Sequence, residues 1–387
     1  MGMNVNNLSR RKLLGSIGVG ALVAGLGSPA LAFRALAGDT LPFRRDAPQL
    51  MLHYNENSLG MSPLATESAR LAVDEKANRY ADDDIAELLN AVSIQHRVPS
   101  EQVMLGNGST EVIRAVVTAA AQVNATVIEP APTFGALQLY AKAEGMAVVT
   151  VPVGKGFVTD INAMRAKAEA TVGPLLINIC NPNNPTGTIV DQTALRDWIA
   201  NAPSDHLFLI DEAYYDYAKD SDGYASLAGD VAEGRENIVV ARTFSKIYGM
   251  AGMRVGYGIA APETAKRINA FAATYNLNAA GIAAAVTSLR DDRYYAKSLA
   301  SNAEGKTVLI EALDRLNLGY IPSHTNFLLH RIDSDLASYQ RRMKENNILV
   351  GRRMTKEDGW NRLSVGTLTE MTEFVRTLEA FRNKGWV

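Results

Sequence analysis

The chain has 387 residues, of which 47% are hydrophobic and 21% charged, and its formal net charge is −2. These values are typical of a soluble globular protein with room for two domains, and they provide no overall positive field that would attract nucleic acid. The single cysteine, Cys180, excludes an internal disulfide and a cysteine-rich metal site, and the five histidines show no metal-binding HExxH pattern.

The first 37 residues have the pattern of an export signal. Arg10 and Arg11 precede an apolar, glycine-rich run that continues to Ala32, which is typical of a twin-arginine signal peptide. Two A-x-A cleavage sites are available, ending at Ala32 and at Ala37. The alternative is an uncleaved membrane anchor, but the run lacks the dense large apolar residues of a spanning helix. We therefore expect a periplasmic protein without a stable membrane anchor, in which a lone cysteine cannot mispair within the chain.

Helical and strand patterns alternate after a polar lead-in at residues 38–50. A helix is predicted over 111–121, with Ser109-Thr110 as its candidate cap. Five continuous apolar runs indicate strands buried on both faces: 125–128, 147–151, 175–179, 207–210 and 237–240. Strands separated by helices predict an α/β fold, with a mostly parallel sheet covered by helices. From residue 281 the pattern changes to longer amphipathic helices and a few strands, such as 327–329 and 362–365.

Polar residues follow several of the predicted strands, and in open parallel sheets such positions line the functional site. Four stretches qualify: 106–111, 181–187, 211–214 and 242–246. The first is a glycine-rich turn before a helix, a pattern that suits either a phosphate or a plain helix start. Asp211 either caps a helix or holds a cationic ring nitrogen. Lys246, shielded from water and followed by Arg254, would lose its proton more easily than an exposed lysine and act as a nucleophile.

The motifs resemble, in kind and order, those of fold-type I aminotransferases that use pyridoxal phosphate (PLP), and specifically the histidinol-phosphate aminotransferase branch. The resemblance covers most of residues 50–370. It rests on six motifs: 55–57, 106–109, 181–187, 211–214, 242–256 and 362–367. It implies a seven-stranded, mostly parallel sheet in a large domain (76–280) and a small α+β domain (281–387). It also implies that an N-terminal segment (38–75) joins the small domain.

The resemblance implies a role for each motif residue. Lys246 would hold the cofactor as a Schiff base and later move the substrate proton, while Asp211 would pair with the pyridinium nitrogen. Tyr214 and Asn184 would donate to the phenolic oxygen, and Phe134 would stack on the ring. The phosphate would be held by Gly108, Ser109, Thr110, Thr243, Ser245 and Arg254, and by Tyr80 of the partner subunit in an obligate homodimer.

The substrate contacts implied by the resemblance are Arg362, Asn57 and Leu59. Arg362 would grip an anionic group in a fork. Where the family usually reads Asn-Glu-Asn-Pro-Tyr-Gly, this chain has Ser58-Leu59 in place of Pro-Tyr, and Leu59 cannot donate a tyrosine's hydrogen bond. We therefore expect a carboxylate on Arg362, slow use of histidinol phosphate, and a preference for apolar or aromatic amino acids. His324 is either a further substrate contact or a structural turn residue.

The predicted reaction moves an amino group between an amino acid, or a related amine, and a 2-oxo acid. The same motifs also serve other PLP reactions at Cα, so a decarboxylase resembling threonine-phosphate decarboxylase is the alternative. An exported binding protein that kept only the fold is a further alternative, which the presence of both Lys246 and Asp211 disfavours.

Overall fold

The described part of the protein comprises residues 48–354 and 359–387 of a computed structural model. The predicted export signal lies outside these residues. Within them, none of the helices combines the length and the apolar character needed to cross a membrane.

The described residues form β-strands and α-helices that alternate along much of the chain. The strands are β1 (Leu50–Leu52), β2 (Val103–Gly106), β3 (Thr126–Ala131), β4 (Val148–Pro152), β5 (Leu175–Cys180), β6 (His206–Asp211), β7 (Ile238–Thr243), β8 (Gly256–Ala260), β9 (Tyr320–Ile321), β10 (Phe327–Arg331), β11 (Ile348–Val350) and β12 (Trp360–Ser364). The helices are α1 (Pro63–Lys76), α2 (Asp82–His96), α3 (Ser109–Ala121), α4 (Ala136–Ala143), α5 (Ile161–Glu169), α6 (Gln192–Asn201), α7 (Tyr215–Ala218), α8 (Ala228–Ala232), α9 (Pro262–Asn269), α10 (Ala279–Leu289), α11 (Asp292–Arg315), α12 (Leu336–Glu345) and α13 (Leu368–Asn383).

Seven strands form one central sheet in the order β2–β8–β7–β6–β5–β3–β4. All neighbours pair in parallel except β8, which runs antiparallel to β2 and to β7. The α/β class and the mostly parallel sheet are thereby confirmed. β8 was not among the strands predicted from apolar runs, because it contains two glycines, which are depleted in strands. The close approach of α3 requires at least one of them, since a Cβ on Gly258 would lie 2.8 Å from Val112.

The central strands read as continuous apolar runs because both faces of the sheet are covered. Ile177 of β5 and Phe208 of β6 pack into one apolar cluster, whereas Leu176 and Leu209 pack into another. Successive side chains of a strand point to opposite faces, so a sheet buried on both sides needs apolar residues at every position.

The two ends of the described chain meet in a smaller part of the fold. β1 pairs in parallel with β11, and β10 pairs with both β12 and β9 in antiparallel fashion. Leu52, the last residue of β1, is fully buried in a third apolar cluster formed mainly by residues after 308. This pairing brings the segment that follows β1 beside β12. The predicted boundaries at residues 75 and 280 stay predictions.

Candidate active site

The carboxyl ends of β2, β5, β6 and β7 lie at one edge of the central sheet, where the antiparallel β8 begins. A cavity of about 770 Å³ opens at this edge. It is lined by eleven of the predicted site residues: Ser109, Thr110, Phe134, Asn184, Asp211, Tyr214, Thr243, Ser245, Lys246, Arg254 and Arg362.

Lys246 follows β7 and lines the cavity. Its Nζ donates a hydrogen bond to the carbonyl oxygen of Asn55 at 3.2 Å. Desolvation in the surrounding protein lowers the pKa of the lysine to about 8, and the nearby Arg362 adds to this, while Asp211 opposes it. A lysine with such a pKa supplies neutral amine close to physiological pH, as a nucleophile requires.

Asp211 ends β6 and is buried. Its Oδ1 accepts a hydrogen bond from the backbone N–H of Ala213 at 3.1 Å, and helix α7 has no side-chain cap, so Asp211 does not cap that helix. Burial raises the pKa of the carboxyl to about 6, although the Ala213 N–H and the charge of Lys246 act in the opposite direction. A cationic ring nitrogen placed here would stabilise the ionised carboxylate and be stabilised by it.

The part of the cavity around the start of helix α3 has groups that suit an anion. Helix α3 starts at Ser109, with Gly108 before it at φ 71° and without a side-chain cap. The prediction of Ser109-Thr110 as the cap is therefore wrong, because the left-handed backbone of Gly108 already turns the chain into the helix and both residues lie in its first turn. The Glu111 N–H donates to the carbonyl oxygen of Gly108 at 3.3 Å, whereas the N–H groups of Ser109 and Thr110 stay available for an anion.

Arg254 supplies the positive charge of this anion-binding end. Its Nη2 donates to the carbonyl oxygen of Asn107 at 3.1 Å and to Thr110 Oγ1 at 3.2 Å. The hydroxyls of Thr243 and Ser245 hydrogen-bond to each other at 2.8 Å on the same cavity wall. A helix N-terminus, hydroxyls and a guanidinium together suit a phosphate group.

Tyr214 and Asn184 lie between Lys246 and Arg362. Burial raises the pKa of the Tyr214 phenol, which keeps its hydroxyl protonated and able to donate. That hydroxyl accepts hydrogen bonds from Asn55 Nδ2 at 3.0 Å and from Asn184 Nδ2 at 3.4 Å. The oxygen of the same Asn184 amide accepts from Arg362, so the amide is fixed from both sides.

Arg362, on β12, is a buried cation. Its Nη1 donates to Asn184 Oδ1 at 2.9 Å and its Nη2 to the carbonyl oxygen of His53 at 2.7 Å. Its Nε is buried and has no hydrogen-bond partner among the described residues, and burial lowers its pKa. A guanidinium held by neutral acceptors alone is stabilised by an anion that binds beside it.

Four predicted contacts are not among the residues that line this cavity: Gly108, which directly precedes Ser109, and Tyr80, Asn57 and Leu59. Tyr80 is 77% exposed and stacks on Tyr275 with 4.6 Å between ring centroids. Asn57 and Leu59 line a separate small cavity, where Asn57 donates to the carbonyl oxygen of Ile247 at 2.8 Å and accepts from the Leu59 N–H. In the single chain, Asn57 and Leu59 thus lie beside the loop that carries Lys246 and outside the main cavity, and their role as substrate contacts stays a prediction.

His324 lies in a turn that packs on the 181–187 motif. Its backbone N–H donates to the carbonyl oxygen of Gly187 at 2.8 Å, and its ring Nδ1 lies 2.9 Å from Ser221 Oγ. These contacts fit the structural interpretation of this histidine. It is not among the residues that line the main cavity.

The motif analysis missed several polar residues that line the cavity, among them His53, Glu56, Arg352 and Arg353. Glu56 lay inside a recognised motif and so had a usable signal. His53 and Arg352 reach the cavity through the pairing of β1 with β11, which no local pattern reveals.

A buried ion pair that was also missed supports the strand ends behind the cavity. Arg242 Nη2 lies 2.8 Å from Glu212 Oε2, and the Arg242 guanidinium stacks 3.5 Å from the Tyr215 ring centroid. Glu212 and Arg242 directly precede or follow the cavity residues Asp211 and Thr243, so the pair fixes the ends of β6 and β7 relative to each other.

The arrangement fits pyridoxal phosphate. Its phosphate matches the turn before α3 with Arg254, its ring nitrogen matches Asp211, its phenolic oxygen matches Tyr214 and Asn184, and its aldehyde matches Lys246. A Cβ on Gly108 would lie 2.5 Å from Arg254 Nη2, so the glycine keeps this phosphate-binding end open. When bound, the cofactor supplies an electron sink for the pair left behind when a proton leaves the substrate Cα.

Comparisons with known proteins agree with this geometry. Residues 47–378 match the family model of aminotransferase class I and II. The histidinol-phosphate aminotransferase of Moorella thermoacetica is 34% identical over 330 residues, which are 85% of this chain and 84% of that protein. The corresponding protein of Symbiobacterium thermophilum is 34% identical over 337 residues, 86% of this chain and 91% of its own.

Solved structures of aminotransferases are also similar to this chain. A crystal structure from Erwinia carotovora atroseptica is 38% identical, with a TM-score of 0.85, and covers 88% of this chain and 97% of that one. The histidinol-phosphate aminotransferase of Sinorhizobium meliloti, solved in complex with pyridoxal-5'-phosphate, shares the fold at 24% identity and a TM-score of 0.79, covering 88% of this chain and 92% of that one. The chain belongs to the aminotransferase class I and II family and is a PLP-dependent aminotransferase.

Proposed function

We propose that the amino donor is an α-amino acid whose carboxylate binds Arg362 and whose amino group lies next to Lys246. The observation that carries this proposal is the buried Arg362 guanidinium, which has only neutral hydrogen-bond acceptors among the described residues. Lys246 and Arg362 bond to the carbonyl oxygens of Asn55 and His53, so both cations flank one short segment. A ligand with an amine at one end and an anion at the other suits this space.

The charge balance favours a carboxylate over a phosphate at Arg362. One buried guanidinium matches the single charge of a carboxylate in a planar fork. A phosphate dianion would need a second cation. The exposed Arg352 and Arg353 line the same cavity and are able to provide it. A phosphorylated amine is therefore the second candidate donor, and the relatives named histidinol-phosphate aminotransferase add weight to it.

The test is a single-turnover experiment with the PLP-loaded enzyme. Acidic, aromatic and aliphatic L-amino acids and histidinol phosphate are mixed with it in turn, and loss of the cofactor's visible absorbance is followed. We expect amino acids to react with higher kcat/KM than histidinol phosphate. A tenfold preference for histidinol phosphate over every amino acid would contradict the proposal.

The variant Arg362→Met is expected to lower kcat/KM for every amino acid by roughly tenfold to a hundredfold, since it removes hydrogen bonds to a charged group. The matched control is Arg341→Met, on an exposed part of helix α12. An Arg362→Met enzyme with unchanged kcat/KM would exclude this arginine as the carboxylate-binding residue.

We propose, further, that the active enzyme is a homodimer in which Tyr80 completes the phosphate site of the partner subunit. Tyr80 does not line the main cavity of its own chain, and it lines a separate surface cavity together with the exposed Val73 of α1. Sedimentation of the PLP-loaded enzyme should give a dimer, and Tyr80→Phe should weaken PLP binding. A fully active monomer would contradict this.

Export by the twin-arginine route is likewise a proposal, supported by the Arg10-Arg11 pair and the run to Ala32. Replacing both arginines by lysine should leave the enzyme inside the cytoplasm. Undiminished periplasmic enzyme in that variant would point to another route.

A further inference from the structure

Two aromatic rings lie beside the substrate arginine and have no role in the assignments above. His53 and Tyr54 both line the main cavity, and their rings contact each other with 3.9 Å between centroids. Tyr54 is 63% exposed. The His53 ring has its Nδ1 buried and without a hydrogen-bond partner in the described chain. The His53 ring therefore has no hydrogen bond within the described chain that would give it a different structural role.

The backbone that carries these rings is tied to both reacting ends of the site. The carbonyl oxygen of His53 accepts from Arg362, and that of Asn55 accepts from Lys246 and, at 3.0 Å, from Asn326. The N–H of Asn55 donates to Ser364 Oγ at 2.8 Å. Residues 53–55 therefore run along one side of the space that a substrate would occupy between Lys246 and Arg362.

The charge state of His53 suits contact with an uncharged flat group. Burial lowers its pKa and the positive charge of Arg362 adds to this, while Glu56 acts in the opposite direction. The imidazole is accordingly neutral at physiological pH. A neutral ring beside a phenol offers a flat, weakly polar surface at a point where a charged imidazole would instead attract an anion.

We infer that His53 and Tyr54 form an aromatic wall that selects amino donors with a flat side chain, that is, aromatic amino acids. The inference rests on the proposed function, because an α-carboxylate on Arg362 and an amine next to Lys246 would place the donor beside residues 53 and 54. Ring stacking is worth roughly threefold to tenfold in binding for each well-placed ring. His53 and Tyr54 act on specificity and take no part in the proton transfer.

The experiment compares donors on the PLP-loaded enzyme and on four variants. His53→Ser and Tyr54→Ala remove a ring, whereas His53→Phe and Tyr54→Phe keep one. kcat/KM is measured for L-phenylalanine, L-tyrosine, L-alanine and L-glutamate, together with PLP affinity and the sedimentation coefficient. We expect each ring-removing variant to lose roughly threefold to tenfold in kcat/KM for the aromatic donors and less than about twofold for alanine. Both ring-keeping variants should retain the wild-type ratio of phenylalanine to alanine.

Several results would overturn the inference. An equal loss for all donors would mean that the segment only positions Arg362, and an unchanged ratio would mean that the rings do not contact the substrate. A dimer lost in Tyr54→Ala would make this ring a subunit contact. A wild-type enzyme that prefers alanine or glutamate refutes the aromatic wall but leaves the carboxylate assignment intact. A wild-type enzyme that converts only histidinol phosphate refutes the carboxylate assignment itself.

Discussion

Lys246 and Asp211 have pKa values displaced toward each other, to about 8 and about 6. Burial is the first cause in both cases, because it penalises the charged form of either group. The two charges also stabilise each other: Asp211 raises the pKa of the lysine, and Lys246 lowers that of the carboxyl. Between these two values both residues are charged, and the lysine begins to supply free amine just above neutral pH.

The rate at which the apoprotein captures PLP covalently should therefore rise with pH and level off above a midpoint near 8. Only the neutral amine is a nucleophile, and its fraction grows as pH passes the lysine's pKa. Asp211→Asn removes a carboxylate that raises this pKa, so the midpoint should move to lower pH. Stopped-flow absorbance between about pH 6 and about pH 10 measures both effects. A rate independent of pH, or a midpoint moved upward in Asp211→Asn, would contradict the assignment.

Lys246→Ala provides the reference for that experiment. The variant should show neither covalent capture nor turnover, while its circular dichroism and unfolding temperature remain those of the wild type. Full turnover in Lys246→Ala would end the assignment of this lysine as the nucleophile.

Single strands and turns differ in how far a sequence pattern can predict them. β3 to β7 were predictable within a few residues, because a strand covered on both faces leaves a continuous apolar run. The polar residues after them then pointed to Lys246, Asp211 and Asn184, since parallel strands end at the same edge. β1 could not be found in this way. It has three residues, and its pairing partner β11 lies about three hundred positions later.

The turn between β2 and α3 combines a predictable motif with a geometry that the sequence does not show. The glycine-rich pattern predicted a phosphate-binding turn, but the helix cap was assigned to the wrong residues. Gly108 has a positive φ of 71°, and a Cβ there would lie 2.5 Å from Arg254 Nη2. Both the backbone and the neighbouring guanidinium therefore require a glycine.

Gly108→Ala should raise the dissociation constant for PLP by roughly tenfold, from the cost of a left-handed backbone and the displacement of Arg254. The matched control is Gly229→Ala in helix α8, where an added Cβ meets nothing within 4 Å. Absorbance titration of both apoproteins with PLP makes the comparison. Equal affinity in the two variants would show that the turn tolerates a side chain.

In the whole molecule, the site joins two regions of the chain that local patterns cannot connect. The central sheet provides the cofactor residues, whereas the segment directly after β1 provides His53 and β12 provides Arg362. Leu52 anchors this second group, because it is fully buried directly before His53. Pairing across the length of the chain is the physical reason why His53 and Arg352 were missed.

Leu52→Ala should therefore affect both stability and substrate binding. The lost side chain leaves a cavity that lowers the free energy of unfolding by about 2–5 kcal/mol. KM for the amino acid should rise severalfold, because the carbonyl of His53 holds Arg362, while PLP affinity stays close to that of the wild type. Val172→Ala is the control, since Val172 is 97% exposed. Denaturant titration and steady-state kinetics test this, and an unchanged KM would mean that β1 does not position Arg362.

The hydrogen bond between Arg362 and His53 joins residues that are 309 positions apart in the sequence, and this separation bears on the order in which the site forms during translation. During translation the chain emerges from its N-terminus, and the domain that emerges first folds first. Asp211, Lys246 and the phosphate turn leave the ribosome long before β11 and β12 are made, and until then β1 has no partner strand. We therefore expect the residues that hold the cofactor to be assembled before those that recognise the substrate, which need the last strands of the polypeptide.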